Sequence, residues 1–173
     1  NLDIKESMAF ALSSSGEMDD AIALYLELHQ ARPEKPGIVR NLAFVYEKKG
    51  LVAEAVMLYN RLIELGQSDA TMVAQAGRMA LDRKLYFPAV VFYRQLYQSN
   101  PNDVATLGIL GGFYYMIRFH QEAIPYYEKI LELAPGHAQA LVRHKILMDC
   151  YKKTKQFDLS AQQAEYVLTR EPD

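Results

Sequence analysis

Two segments of the chain, DAIALYLELHQARP at residues 20–33 and EAIPYYEKILELAP at residues 122–135, share one pattern of small, aromatic and branched residues. The pattern occurs twice more between them, at residues 54–67 and 88–101, so it recurs every 34 residues. Three columns carry it: Ala21, Ala55, Ala89 and Ala123; Tyr25, Tyr59, Tyr93 and Tyr127; Leu28, Leu62, Leu96 and Ile130. A repeat this regular decides the fold class before any single residue is interpreted.

Further columns keep the same step and divide each unit into two helices. They are Ala9, Ala43, Gly77 and Gly111, and Pro33, Pro101 and Pro135 with Gln67 in place of a fourth proline. The apolar residues recur at helical spacing in two stretches of roughly fourteen residues around a short turn. Gly16 and Gly50 mark this turn and suit a left-handed cap, whereas Lys84 and Arg118 replace them later. The pattern predicts a helical hairpin in every unit.

These columns resemble the tetratricopeptide repeat family, whose unit of about 34 residues has small, aromatic, glycine and proline residues at fixed positions. The resemblance covers essentially the whole chain. It implies an all-α solenoid of about five helix-turn-helix repeats, wound as a right-handed superhelix with a concave groove. We expect the repeats at residues 2–35, 36–69, 70–103, 104–137 and 138–173. The chain departs from the family at one early aromatic position, which holds Lys5, Val39, Val73 and Leu107.

The fifth repeat is longer than the others, because Pro172 follows Pro135 by 37 residues instead of 34. We expect the three extra residues in its first helix or in the turn at residues 152–156. Pro125 also disturbs the pattern, since a proline inside a helix lacks an N–H and crowds the preceding turn. The helix at residues 121–133 is therefore expected to begin late or to kink at Pro125.

By the same resemblance, the first helix of each repeat lines the concave groove, and a fixed set of its positions faces inward. Transferred residue by residue, these positions give the expected partner-binding residues Phe10, Arg40, Asn41, Phe44, Gln75, Arg78, Gly108, Ile109, Gly112, Tyr115 and Met116. The transfer also places Glu6, Glu47 and Lys48 on this face. The resemblance thus implies a groove with an aromatic, amide-bearing first half and an apolar, glycine-lined second half.

Two glycines of this set, Gly108 and Gly112, lie four residues apart and hence on one helix face. Glycine inside a helix costs about 0.8–1 kcal/mol relative to alanine, so a reason for the pair is expected. One hypothesis is that they leave a floor without side chains, where a partner segment approaches the backbone beside Tyr115. The alternative is that they admit a neighbouring helix, as Gly111 is expected to do.

The polar residues of the groove also have two interpretations. Arg40 and Arg78 match the geometry of a carboxylate, while Asn41 and Gln75 can pair with a peptide backbone. Alternatively, all four are solvated surface residues. Family members that bind chaperone tails carry a clamp of lysine, asparagine and arginine, and of the five positions aligned with it only Asn41 matches. Capture of a heat-shock chaperone C-terminus is therefore disfavoured.

No set of residues in the sequence has the spacing of a reaction centre. His137 and His144 lie about 10 Å apart along one helix, which is too far for a shared metal ion. Nothing in the sequence places a base beside Cys150 or a partner beside His120, so Cys150 is interpreted as a small apolar filler. We predict no catalytic residue, no metal site and no cofactor.

The composition of the chain also limits the classes of partner and the cellular location that we expect. The formal charge is −2, so no strong field attracts nucleic acid or anionic lipid, and no apolar run is long enough to span a membrane. The single cysteine forms no internal disulfide, which leaves a cytoplasmic or a bacterial periplasmic location open. The chain starts at Asn1 without an initiator methionine, so we expect a piece of a longer protein.

The sequence favours a non-enzymatic interaction module that binds a peptide segment or a partner protein along its concave face. The alternative is a structural spacer in a larger protein, such as a periplasmic component of a bacterial polysaccharide-export machine, a setting that the family resemblance supplies. An enzyme is a third hypothesis and would need a constellation that the sequence does not show. An uncapped end of the array would favour self-association.

Overall fold

The structure is a computed structural model, and it describes residues 1–171. In this range the chain forms ten α-helices and no strand, which confirms the all-α fold class. The helices are α1 (Leu2–Ser15), α2 (Met18–Ala31), α3 (Pro36–Lys49), α4 (Val52–Glu64), α5 (Ala70–Asp82), α6 (Tyr86–Ser99), α7 (Val104–Met116), α8 (His120–Leu133), α9 (Ala140–Lys153) and α10 (Phe157–Leu168). No helix in the described part of the chain combines the length and the apolar character that crossing a membrane requires.

Consecutive helices pack against each other as hairpins. Helix α1 packs on α2, α3 on α4, α7 on α8, and α9 on α10. The second helix of a hairpin also contacts the first helix of the next one, as α2 does with α3, α4 with α5 and α8 with α9. This nearest-neighbour packing is that of a helical repeat protein.

The chain divides into two compact units, Asn1–Phe92 and Tyr93–Asp173, with the boundary inside α6. The core of the first unit contains Ala9, Ala21, Ile22, Tyr25, Leu28, Ile38, Leu42 and Val45. The core of the second unit contains Leu107, Ala123, Ile124, Tyr127, Ile130, Leu147, Cys150 and Tyr151. Columns of the sequence repeat thus supply much of both cores.

The alanine and tyrosine columns explain how the hairpin helices come close together. All four alanines of the first column are 0% exposed, so no side chain keeps the helices apart at that level. The tyrosine four residues later lies one turn along the same face and is buried in each repeat. Burying each large side chain of this kind contributes about 1.5–3 kcal/mol, so the tyrosine column adds substantially to the stability of the hairpins.

The turn inside each hairpin has a left-handed residue, as the two glycines predict. Gly16 has φ of 91° and Gly50 has φ of 79°, which is the region that glycine occupies at little cost. Lys84, Arg118 and Lys155 adopt the same conformation, with φ of 59°, 64° and 62°. The turn geometry is therefore kept in all five hairpins even where the residue is not glycine.

The three extra residues of the last repeat lie mainly before its first helix. Six residues, 134–139, connect α8 to α9, whereas four residues, 100–103, connect α6 to α7. The expected longer turn at residues 152–156 is wrong, since three residues follow α9 as they follow α7, and α9 is only one residue longer than α7. Lengthening an exposed connection costs little, whereas hairpin packing fixes the turn. Pro172, which marked the insertion, lies outside the described residues.

The helix that contains Pro125 begins earlier than expected. Helix α8 starts at His120 and continues through Pro125 to Leu133, so the predicted late start is wrong. Pro125 is exposed, and its missing N–H leaves the carbonyl of Gln121 without its usual partner on a solvated face. Solvent can satisfy that carbonyl, which explains why the helix tolerates the proline.

Lys84, which has a left-handed conformation, gives a direct test of the turn between α5 and α6. Lys84→Gly is expected to raise the free energy of unfolding by about 0.5–1 kcal/mol, because the left-handed region costs a side chain about 1–2 kcal/mol and glycine loses part of that gain through chain entropy. The reciprocal variant Gly50→Lys should lower it by a similar amount. Urea unfolding followed by circular dichroism measures both, and a destabilised Lys84→Gly variant would contradict the assignment.

Candidate functional site

The structure places the expected partner-binding residues on first helices of the hairpins and divides them between the two units. The first unit has Phe10 on α1, Arg40, Asn41 and Phe44 on α3, and Gln75 and Arg78 on α5. The second unit has Gly108, Ile109, Gly112, Tyr115 and Met116, all on α7.

Three of these residues meet at a cavity of about 400 Å³ between α1, α2 and α3, which we call the α1–α3 cavity. The rings of Phe10 and Phe44 line it and remain 61% and 46% exposed. Asn41 also lines the cavity, is half-buried and contributes an amide group. The packing of α1 on α3 thus joins two aromatic rings and an amide from different repeats in one recess.

A second hollow, of about 520 Å³, adjoins the first through Phe10 and Asn41, which line both. Its other side is charged, because Glu6 on α1 accepts a hydrogen bond from the Nζ of Lys35 at 2.6 Å. Asp3 also lines this hollow and pairs with Arg32. The charges of the second hollow are therefore compensated within the first unit.

Lys48 lies at the α1–α3 cavity and differs from these charged residues. Its ammonium nitrogen is 5.3 Å from the centre of the Phe44 ring, which is within the range of a cation–π contact. It forms no ion pair with any residue that the structure describes. The cavity therefore combines aromatic walls with an uncompensated positive charge.

Two of the expected ligand donors have acceptors inside the chain. The Nη2 of Arg40 donates to the carbonyl of Gln67 at 2.8 Å. The Nε2 of Gln75 donates to the Oε1 of Glu47 at 2.7 Å, and the hydroxyl of Tyr59 donates to the other oxygen of Glu47 at 2.6 Å. Burial, followed by the hydrogen bond to this carboxylate, raises the pKa of Tyr59. These contacts tie α3 to α4 and α5.

The glycines of α7 differ from one another in their surroundings. A Cβ added at Gly111 would lie 3.1 Å from the Cβ of Tyr126 and 3.1 Å from the ring of Tyr127, so this glycine admits α8 closely, as the sequence predicts. A Cβ at Gly112 would make an ordinary contact with Tyr127 at 3.7 Å, and one at Gly108 would meet nothing within 4 Å. Close approach of a neighbouring helix therefore does not account for Gly108.

The remaining residues of the second group are Ile109 in the middle of α7 and Tyr115 and Met116 at its end. The hydroxyl of Tyr115 donates to the Oδ2 of Asp149 on α9 at 3.2 Å. Burial, followed by the charge of Asp149, raises the pKa of Tyr115. Ile109 is half-buried and Met116 is exposed.

The expectation that no base lies beside Cys150 is wrong. The Sγ of Cys150 is 3.8 Å from the Nδ1 of His120, because the packing of α8 on α9 brings together residues thirty positions apart in the sequence. The thiol is nevertheless fully buried, and burial together with the charge of Asp149 raises the pKa of Cys150 to about 11. The thiol is therefore protonated at neutral pH. Residues 1–171 hold no cluster of three or more histidine, cysteine or carboxylate side chains able to bind a metal.

Two features of the first unit were not expected from the sequence. The hydroxyl of Tyr25 is buried at the α1–α3 cavity beside the side chains of Ser13 and Asn41, whereas the equivalent hydroxyl of Tyr59 donates to Glu47. The sequence gives no signal for this, since all four repeats have tyrosine in that column. An apolar groove of about 480 Å³ also lies between α4 and α6, and Met57 and Pro88 are among the residues that line it. Both helices are second helices of their hairpins, which the family resemblance places outside the concave face.

Comparison with known proteins agrees with this architecture. Residues 120–137 match the tetratricopeptide repeat family model. A comparison with curated protein sequences finds no match. The fold is similar to that of MamA of AMB-1, with a TM-score of 0.57 and 16% identity over 98% of this chain and 91% of that one. Another MamA structure gives a TM-score of 0.52 and 19% identity over 97% of this chain and 90% of that one.

A third similar structure is that of YrrB, described as a TPR protein with an unusual peptide-binding site. Its TM-score is 0.53 and its identity 18%, over 96% of this chain and 84% of that one. At these identities the likeness shows the fold alone. Together with the matching repeat model, it confirms the resemblance to tetratricopeptide repeat proteins.

The glycines of α7 provide a matched pair of substitutions. Gly108→Ala is expected to raise the free energy of unfolding by about 0.8–1 kcal/mol, because the added methyl group meets open space and alanine is the better helix former. Gly111→Ala should lower the free energy of unfolding, since the added Cβ would lie too close to the Cβ of Tyr126 and the ring of Tyr127. Denaturant unfolding of both variants measures the difference, and equal stabilities would contradict the close contact of α7 with α8.

The buried thiol predicts slow chemistry at Cys150, the single cysteine of the chain. At pH 8 a pKa of about 11 leaves roughly one thiol in a thousand ionised, so alkylation of the folded protein should be at least about 100-fold slower than in urea. The rate should rise with pH until the pKa is reached. Mass spectrometry of iodoacetamide adducts gives both rates, and equal rates would show that the thiol is accessible.

Proposed function

We propose that the chain is a non-enzymatic interaction module that binds a peptide segment or a partner protein through the inward faces of its first helices. The observation that carries this proposal is the α1–α3 cavity, where Phe10 and Phe44 stay largely exposed beside the amide of Asn41. Concave sites with aromatic walls and few polar groups are typical of ligand recognition. Large aromatic side chains also dominate the energetics of protein interfaces.

The fold supports this proposal but does not fix it, because one fold hosts many functions. Among the similar structures, YrrB is described as having a peptide-binding site, and that description applies to YrrB. The proposal for this chain rests on its own exposed aromatic residues.

In this proposal the expected residues have different roles. Phe10, Asn41 and Phe44 contact the partner directly at the cavity. Arg40 and Gln75 join neighbouring helices, because one nitrogen of each donates to an acceptor within the chain. Arg78 is exposed and forms no ion pair with the described residues, so it is the arginine that remains to meet a carboxylate.

The second unit contributes a separate surface on α7. A Cβ at Gly108 would meet open space, which is consistent with the hypothesis that the two glycines leave a surface without side chains for a partner. Gly112 lies four residues further along the same helix. Ile109 and Met116 add apolar area, and the hydroxyl of Tyr115 is fixed by Asp149. We propose that this face approaches the backbone of a bound segment.

Selection of peptides from a random display library on the immobilised chain tests the proposal. The double variant Phe10→Ala, Phe44→Ala is expected to weaken binding of the selected peptides by about 30-fold or more, as loss of aromatic contacts at an interface centre does. Met57→Ala is the matched control, since Met57 is 72% exposed on α4 outside the cavity, and it should leave affinity unchanged. Failure to enrich any peptide, or equal binding by the double variant, would favour a structural spacer.

A further inference from the structure

The groove between α4 and α6, which we call the α4–α6 groove, has apolar walls and exposed apolar edges. Its volume is about 480 Å³, and all of its lining residues belong to the first unit. Met57 on α4 is 72% exposed, while Phe87 and Val91 on α6 are 74% and 45% exposed. Single exposed apolar residues are ordinary, whereas several that adjoin one recess are typical of an interaction surface.

The sequence repeat provides an internal reference for this surface. Phe87 and Pro88 belong to two adjacent columns, and the column of Phe87 is exposed in each of the first four repeats. In the first, second and fourth repeats the residues of the two columns are Asp19 and Asp20, Ala53 and Glu54, and Gln121 and Glu122. The hairpin fold therefore does not require an apolar side chain at either position.

The shape of the groove is complementary to itself. A recess of about 480 Å³ has room for a phenyl ring, since a cavity of about 150 Å³ already holds benzene. The ring of Phe87 lies at the same recess and is largely in solvent. In a twofold contact the ring of each copy can enter the recess of the other, because both copies present the same surface. The groove thus has both the recess and the side chain that fits it.

The charges of the groove also fit a second copy. Arg61 and Glu64 on α4 are the charged residues that line it, and they pair with each other at 2.9 Å. Arg61 also pairs with Glu34 at 3.3 Å. The lining therefore has no excess charge that would repel an identical surface. A twofold contact lets Arg61 of each copy face Glu64 of the other, which is an electrostatically complementary arrangement.

We infer that the α4–α6 groove is a contact surface between two copies of this chain related by a twofold axis, with Phe87 and Met57 of each copy entering the groove of the other. Such a contact closes at two copies, because each copy uses the same surface. The groove shares no lining residue with the α1–α3 cavity, so the inference does not depend on the proposed function.

Sedimentation equilibrium of the full chain tests the inference. The concentration should range from about 5 µM to about 500 µM, because a contact built around one groove is small and hence weak. The weight-average mass is expected to rise from that of one chain toward that of two and to stop there. A single-chain mass at every concentration would overturn the inference. A mass that exceeds two chains would also overturn it, since that result indicates a contact between two different surfaces.

Substitutions copied from the other repeats test the residues in a form that the hairpin tolerates. Phe87→Gln introduces the residue of the fourth repeat and should raise the dissociation constant of the dimer about tenfold or more. Met57→Ala introduces the residue of the first repeat and should have a smaller effect in the same direction. Circular dichroism and the thermal midpoint check that both variants remain folded. Unchanged association of a folded Phe87→Gln variant would contradict the inference.

A matched control lies on the first helix of the same unit. Ile4 on α1 is 67% exposed and does not line the groove, so Ile4→Gln should leave the association unchanged. Loss of the dimer in Ile4→Gln, with Phe87→Gln unaffected, would assign the contact to α1 and overturn the inference.

A charge exchange tests whether both copies use the same surface. Arg61→Glu and Glu64→Arg should each weaken the dimer, because two identical variant surfaces then meet with like charges. An equimolar mixture of the two variants should restore it, since one copy then carries two acidic residues and the other two basic ones. A mixture that associates no better than either variant alone would overturn the twofold contact.

Peptide binding distinguishes the remaining occupant. A library-selected peptide that binds in the α4–α6 groove of a monomeric chain would assign the groove to another protein and overturn the inference. Loss of peptide binding at the α1–α3 cavity would overturn the proposed function and leave the twofold contact standing.

Discussion

The close approach of paired helices at the alanine column is the contact on which the structure depends. Ala21 in the first repeat and its equivalents are completely buried, and the tyrosine four residues later fills the space beside them. Because this contact occupies one face of both helices, the opposite face of each first helix is not needed for its own hairpin. The residues that we propose for partner binding are on first helices of the hairpins in both units.

The fold was predictable because its determinants are local and repeated. Columns at a step of 34 residues indicate helical hairpins, and Gly16 and Gly50 indicate the turn that the structure keeps at Lys84. The position of the three extra residues was not predictable, since a sequence shows that the spacing changes but not whether a helix or a connection absorbs it. The connection at residues 134–139 absorbs most of it, because an exposed loop lengthens at little cost.

The candidate site was predictable only in part, for a related reason. The resemblance gave the positions of Phe10, Asn41 and Phe44, and the structure brings these three together at one cavity. Contacts between helices decide the rest. Sequence spacing did not reveal that Arg40 bonds within the chain. It also did not reveal that the hydroxyl of Tyr25 is buried beside Ser13 and Asn41 while that of Tyr59, in the same column, donates to Glu47.

We propose that the first two repeats leave a recess between α1, α2 and α3 for a segment of another protein. A crystal structure of the chain with a tightly bound, library-selected peptide tests it most directly. We expect peptide density in the α1–α3 cavity, against the rings of Phe10 and Phe44. Density confined to the groove between α4 and α6, with the recess unoccupied by the peptide, would contradict it.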